Sequence, residues 1–364
     1  MSSLQTLAAV VGGMVALALL TWAHVRYWRR RLARPLAYDE THRLATDDGS
    51  AIEMRRLRPR GSQSDAPPVL IIHGLAINER NCDVNAQRSF ARHLAAAGRD
   101  VWLVTLRSGR SDHAPGERAK VSFTAMTRHD VPLAVRTVRE TTGAPQLDVV
   151  GFSMGGMLLY ATLGRTVAEA EVRRVVIFGS PGKIGIPIWP LSKLRGLPAW
   201  LAPAMPYRFL ATLIAPWAEL LITPLHYVTY NPTNVPRGDT GSVLVDAMRD
   251  VPWALHREFA SWAMTDGQIR VGGVPVLDAL GRVGVPVCFF AGAADRLAPP
   301  SSVRRAFEAW GAALPTIDKT FVLLGKETGR RADYGHGDLM FGTSATAEVF
   351  EPARAFLDDL ARPA

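Results

Sequence analysis

Cysteine is scarce: Cys82 and Cys288 are the only two in 364 residues. So few exclude a disulfide framework and suit a reducing compartment. No Cys/His spacing has the pattern of a zinc site, and there is no internal repeat or low-complexity tract. Acidic residues are missing from the first 36 positions, although Arg26, Arg29, Arg30, Arg31 and Arg34 stand there. These five arginines supply more than half of the formal net charge of +9, so the basic excess is local and no nucleic-acid partner is indicated. With 48% hydrophobic and 21% charged residues, the chain has enough apolar material for one large core or a core plus an inserted module.

Charge is also absent from residues 4–23, LQTLAAVVGGMVALALLTWA, a stretch about long enough to cross a bilayer as a helix. Trp22, Tyr27 and Trp28 lie where interfacial aromatics belong, and the arginines follow at once. A cleaved signal peptide carries its charge before the apolar stretch, not after it. Residues 1–36 are therefore expected to form an uncleaved, single-pass transmembrane anchor with a basic juxtamembrane segment. The positive-inside rule puts everything beyond it on the cytoplasmic side.

After a polar linker, HRLATDDGSAIEMRRL reads as a hairpin with Asp48-Gly49 in its turn. Apolar strand-like runs follow at 68–74, 100–106, 147–150, 174–180, 285–292 and 320–325, with helical segments between them, one starting near Asp130. In the last helix Val349, Ala353, Phe356, Leu357 and Leu360 share one face. Such alternation means a mostly parallel sheet covered on both sides. Residues 183–280 break the rhythm. They show no clear strand, and between Pro187 and Val228 only Lys193, Arg195, Arg208 and Glu219 are charged. Seven prolines chop that stretch into pieces too short for a second span. Further on, 250–264 is more regular, with Trp253, Phe259 and Trp262 as apolar anchors. The expected organisation is the anchor at 1–36, a first core part at 37–182, a helical cap at 183–280 over the sheet's C-terminal edge, and a second core part at 281–364.

One strand runs directly into LDVVGFSMGGMLLY. Gly151-Phe152-Ser153-Met154-Gly155 is G-x-S-x-G between a strand and a helix, the context in which the serine sits on a tight, strained turn as a nucleophile. A nucleophilic serine needs a base, and the base an orienting acid. Among nine histidines, His336 stands apart in the loop RADYGHGDLMFG after the last strand. Asp295, in CFFAGAADRLAPP, is the candidate acid; Asp338, two residues from His336, competes with it. An oxyanion needs two N–H donors, expected from Met154 after the nucleophile and from Leu75 in the loop after LIIHG. Within that loop's start, Gly74 permits the turn and His73 ties it down.

VLIIHGLAINERN, SFARHLAAAGRDVWLVTLRSGRSD, LDVVGFSMGG, FFAGAADRLAPP and YGHGDLMFG together resemble the α/β-hydrolase superfamily, within it the acid-lipase-like and polyhydroxyalkanoate-related branches. The resemblance covers residues 43–182 and 283–362 and leaves anchor and cap outside. It implies an α/β-hydrolase sheet, Ser153 as nucleophile, Asp295 as acid, His336 as base, and Leu75 and Met154 as oxyanion donors. Chain order Ser, Asp, His matches. The related polymer synthases use cysteine as nucleophile, so a serine here favours hydrolysis. A membrane-anchored serine hydrolase is the expectation. It would act on a carboxylic ester, lipid-like or apolar in its acyl part, with no metal or cofactor. The alternatives are acyl transfer or thioester cleavage on the same triad, or a non-catalytic membrane-bound module of the same fold.

Overall fold

The alternating apolar runs become the strands of one sheet. A computed structural model describes residues 3–61, 64–186 and 205–359. A long helix, α1 (Ser3–Leu32), leads into the hairpin β1 (Glu40–Ala45) and β2 (Ala51–Leu57). The core then runs β3 (Val69–Ile72), α2 (Phe90–Ala96), β4 (Val101–Thr105), α3 (Phe123–Ala125), α4 (Val131–Thr142), β5 (Leu147–Phe152), α5 (Met154–Thr162) and β6 (Val172–Phe178). A helical stretch follows, with α6 (Tyr207–Ile214), α7 (His226–Thr229), α8 (Thr240–Asp246) and α9 (Trp253–Met264). Two short strands, β7 (Arg270–Val271) and β8 (Val274–Pro275), pair only with each other. The chain returns to the core through α10 (Val276–Leu280), β9 (Val287–Gly292), α11 (Pro300–Ala309), β10 (Lys319–Leu324), α12 (Asp338–Phe341) and α13 (Glu351–Leu357). The large sheet has the order β1-β2-β4-β3-β5-β6-β9-β10, antiparallel at the first two pairings and parallel thereafter.

Burial on both faces explains the unbroken apolar runs. Along β3 and β4, Leu70, Ile72, Trp102 and Val104 pack on the side of Val135, Val138 and Leu158. The alternate residues, Val69, Ile71, Val101 and Leu103, pack on the side of Phe90, Leu94 and Phe356. The helix expected near Asp130 is α4, with Pro132 in its first turn. Two expectations are corrected. Residues 183–280, expected to show no clear strand, hold the short pair β7 and β8. Ahead of α4 the chain is already helical at α3, where the Ser122 hydroxyl accepts the Ala125 N–H at 3.0 Å. A π-helical turn, Met126–Asp130, then precedes Pro132, and its wider ring absorbs a residue that brings no N–H. Trp253 is not an apolar anchor: it is exposed and stacks on His256, whereas Trp262 is buried against Phe123. Residues 187–204 and Leu360, both used in the sequence reading, lie outside the described residues.

Among the described residues one helix, α1, is long and apolar enough to cross a membrane. It is not a loose tether. Residues 3–20 are exposed, but Thr21, His24, Val25, Trp28 and Leu32 are half-buried at helical spacing. That stripe lies against α6 and α8. His24 Nε2 is 3.1 Å from the Leu213 carbonyl oxygen. Arg34 closes the junction: its N–H donates to Asp246 Oδ2 at 2.8 Å and its guanidinium to Asp239 Oδ1 at 2.6 Å.

Candidate active site

Ser153 closes β5 and opens α5, with φ 54° and ψ −118°. A non-glycine residue rarely adopts that conformation, which costs on the order of 1–3 kcal/mol and persists only where the surroundings enforce it. The surroundings here are glycines. A Cβ on Gly151 would stand 2.6 Å from the Gly156 backbone, and one on Gly155 would stand 2.2 Å from the Ile72 carbonyl oxygen. Side chains at either position would push strand and helix apart and open the turn. The Ser153 N–H donates to the Phe178 carbonyl, which pins the turn to β6.

The loops after β9 and β10 bring Asp295 and His336 to the same place. His336 Nδ1 donates to Asp295 Oδ2 at 2.7 Å, and both residues are buried. This leaves Nε2 as the remaining ring nitrogen. The other carboxylate oxygen of Asp295 accepts the N–H groups of Leu297 and Ala298 at 2.9 and 2.8 Å, so the turn itself aims the acid. The His336 ring lies 4.9 Å, centroid to centroid, from Phe152, the neighbour of Ser153. Gly179, with φ +52°, floors the site: a Cβ there would meet His336 Nδ1 at 3.2 Å and Asp295 Oδ2 at 3.3 Å. Between the Ser153 hydroxyl and His336 there is no hydrogen bond among the described residues. Such contacts tighten with substrate bound.

Asp338 is not the partner of His336. Burial raises its pKa to about 6. Its carboxylate accepts the N–H of Asn231 at 2.9 Å, the side-chain amide of Asn234 at 2.7 Å and the N–H of Gly335 at 3.1 Å. It shapes the loop that carries His336 and ties it to residues 231–234.

Met154 directly follows Ser153, and Leu75 follows Gly74, where a Cβ would stand 2.9 Å from the Ser153 Cβ. Neither Leu75 nor Met154 gives its backbone N–H to an acceptor among the described residues. Met154 is the first residue of α5, where helix N–H groups have no intrahelical partner. The Leu75 loop is fixed from below by His73, whose Nδ1 donates to the Gly74 carbonyl at 2.8 Å and whose Nε2 accepts the Leu106 N–H at 3.0 Å. Complete burial lowers the His73 pKa to about 4, so this histidine is a neutral strut. From above, the loop pairs with the helical stretch. Asn78 N–H donates to the Ala247 carbonyl at 3.0 Å and Arg249 N–H to the Ala76 carbonyl at 2.8 Å. Arg249 also gives its guanidinium to the Gly109 carbonyl at 3.1 Å. Ala76, at φ 59°, is held in a strained conformation inside this clamp. Sequence reasoning missed Arg249 and Gly179. An Arg in a polar turn carries no signal, but a glycine one residue past the end of β6 does.

Residues 67–343, more than half of the chain, match the α/β-hydrolase fold family. The chain belongs to that family. It is 30% identical to human gastric triacylglycerol lipase over 139 residues, 34% of this chain and 35% of the lipase. The chain spans about a third of the length of the first curated relatives it matches. Among solved structures it superposes on an esterase from Rhodococcus with a TM-score of 0.54 at 18% identity, covering 88% of this chain and 99% of that one. A bacterial membrane phospholipase A matches with a TM-score of 0.51 at 18% identity over 98% of this chain and 96% of that one. At these identities the likeness is one of fold.

Proposed function

We propose that this α/β-hydrolase is a membrane-anchored serine hydrolase that cleaves carboxylic esters, with apolar, lipid-like acyl esters as its substrates. The observation that carries the reading is the buried His336–Asp295 pair beside Ser153 on its strained turn. Ser153 Oγ attacks the ester carbonyl while His336 Nε2 takes its proton. The oxyanion forms against the N–H groups of Leu75 and Met154, and collapse expels the alcohol with the proton from His336. Water, activated by the same imidazole, then releases the acid from the acyl-enzyme. The lipase and esterase names among the relatives support ester cleavage, and the apolar α1 supports a substrate drawn from a bilayer. A fluorophosphonate probe is expected to label the full-length protein at one residue, Ser153, identified by peptide mapping. Absence of labelling, or labelling elsewhere, overturns the assignment.

The same reading anchors the protein through α1 and keeps the catalytic domain on the cytoplasmic side, because the arginines follow the span. Reporter fusions to the C-terminus should be active only with a reporter that works in the cytoplasm. Activity of an exported reporter reverses the orientation.

A further inference from the structure

The end of α6 and the loop from it to α7 leave apolar side chains in the open. Ile214, Trp217, Leu220, Leu221, Ile222 and Leu225 are all exposed, Leu220 to 76%. Its one charged residue, Glu219, points away from the tip: its carboxylate accepts the N–H of Gly238 at 2.6 Å and of Thr240 at 3.0 Å at the start of α8. A soluble surface spreads such residues thinly; here six fall within twelve positions, and Leu220, Leu221 and Ile222 are consecutive.

The position of the loop indicates what covers it. His24 stacks on Trp217 with 5.0 Å between ring centroids and 8° between planes. His24 is the first residue after the uncharged stretch 4–23. Above the docked stripe, residues 3–20 of α1 stand free, about 27 Å of helix at 1.5 Å per residue, close to the thickness of a hydrocarbon core. If α1 spans, Trp217 therefore lies level with Trp22 and Tyr27 at the lipid–water boundary. Charge fits as well. Arg26, Arg29, Arg30 and Arg31 ring the same level, and the charge of Arg208 on α6 is disfavoured first by burial and then by the nearby Arg29. Two like charges held together at headgroup depth suit phosphate oxygens.

We propose that residues 214–225 form a second membrane foothold: the tip of the loop inserts into the interfacial layer of the bilayer that α1 crosses. This rests on the reading of α1 as an anchor. With two attachments, the domain cannot swivel on its helix. The helical stretch that clamps the Leu75 loop is held against the lipid surface, which brings a bilayer ester to the sheet edge carrying Ser153.

The test uses full-length protein in phosphatidylcholine–phosphatidylglycerol vesicles containing a doxyl-labelled lipid. Cys82 and Cys288 are buried, which spares them from labelling. A fluorophore is placed in turn at Leu221→Cys, at Leu17→Cys on α1, and at Glu140→Cys, which is exposed near the C-terminus of α4 at the sheet edge away from the site. The expected result is strong quenching at positions 17 and 221 and little at 140. Quenching at 17 with position 221 behaving like 140 overturns the foothold and leaves the anchor standing. No quenching at 17 or 221 overturns both. Position 221 shielded from lipid but forming cross-links to its counterpart in another molecule makes the tip a dimer contact and also overturns the proposal. As a second arm, L220S/L221S/I222S should lower hydrolysis of a vesicle-embedded long-chain ester at least about tenfold, since it strips apolar contact with lipid, and spare a soluble short-chain ester. Equal loss on both substrates assigns the three residues to the fold and counts against the foothold.

Discussion

Ser153→Ala should lower ester hydrolysis by about 10³-fold or more, to the residual rate left by the oxyanion site and substrate binding, with the melting temperature unchanged. Alanine keeps the Cβ, so the φ of 54° is no more strained than before. Among the described residues the serine hydroxyl makes no capping hydrogen bond to α5; the backbone bond to Phe178 holds the position and survives the change. Initial rates on a short-chain p-nitrophenyl ester, with a thermal melt of the same sample, check both halves. A near wild-type rate removes Ser153 from the chemistry. Ser153→Gly refines the argument. Glycine adopts positive φ without penalty, so this variant should be equally inactive and more stable than Ser153→Ala by about 1 kcal/mol. A gain in stability on losing a functional side chain is the signature of strain kept for function.

The elbow was legible in the sequence because its constraint is local. Strand and helix meet within five residues, and the clashes that a Cβ would make at Gly151 and Gly155 leave only glycine there. The Asp295 turn was legible for a similar reason: a short acid among small residues caps the N–H groups two and three positions on. Long-range partners were not. His24 meets Leu213 across 189 positions, through one imidazole and one carbonyl, and neither has a periodic signature. Reading the residues after the apolar stretch 4–23 as a basic juxtamembrane segment hid the stripe from Thr21 to Leu32 that faces protein. The clamp on the Leu75 loop is backbone pairing between 76–78 and 247–249, which any residue types could make. Apolar patterning announces a sheet, yet it does not say which loops will be tied to one another above it.

Asp295→Asn and Asp338→Asn should separate activity from stability in opposite ways. In Asp295→Asn the amide oxygen can still accept from Leu297 and Ala298, so the turn and the fold should hold. The amide nitrogen then faces His336 Nδ1 as a donor. That drives the imidazole to the tautomer protonated at Nε2, which cannot accept the serine proton. A loss on the order of 10⁴-fold in kcat is expected with little change in melting temperature. In Asp338→Asn, one of the two carboxylate oxygens becomes an NH2 group. The oxygens now receive three donors, from Asn231, Asn234 and Gly335, so in either orientation a donor is turned against a donor. Leaving such groups unpaired in a buried site costs about 1–3 kcal/mol, so this variant should melt earlier and keep most of its kcat at a temperature where it is folded. Steady-state kinetics and thermal melts on both proteins decide the matter. If Asp338→Asn loses the larger share of kcat while still folded, the acid that orients His336 is Asp338, and the 2.7 Å bond from His336 to Asp295 does not describe the working enzyme.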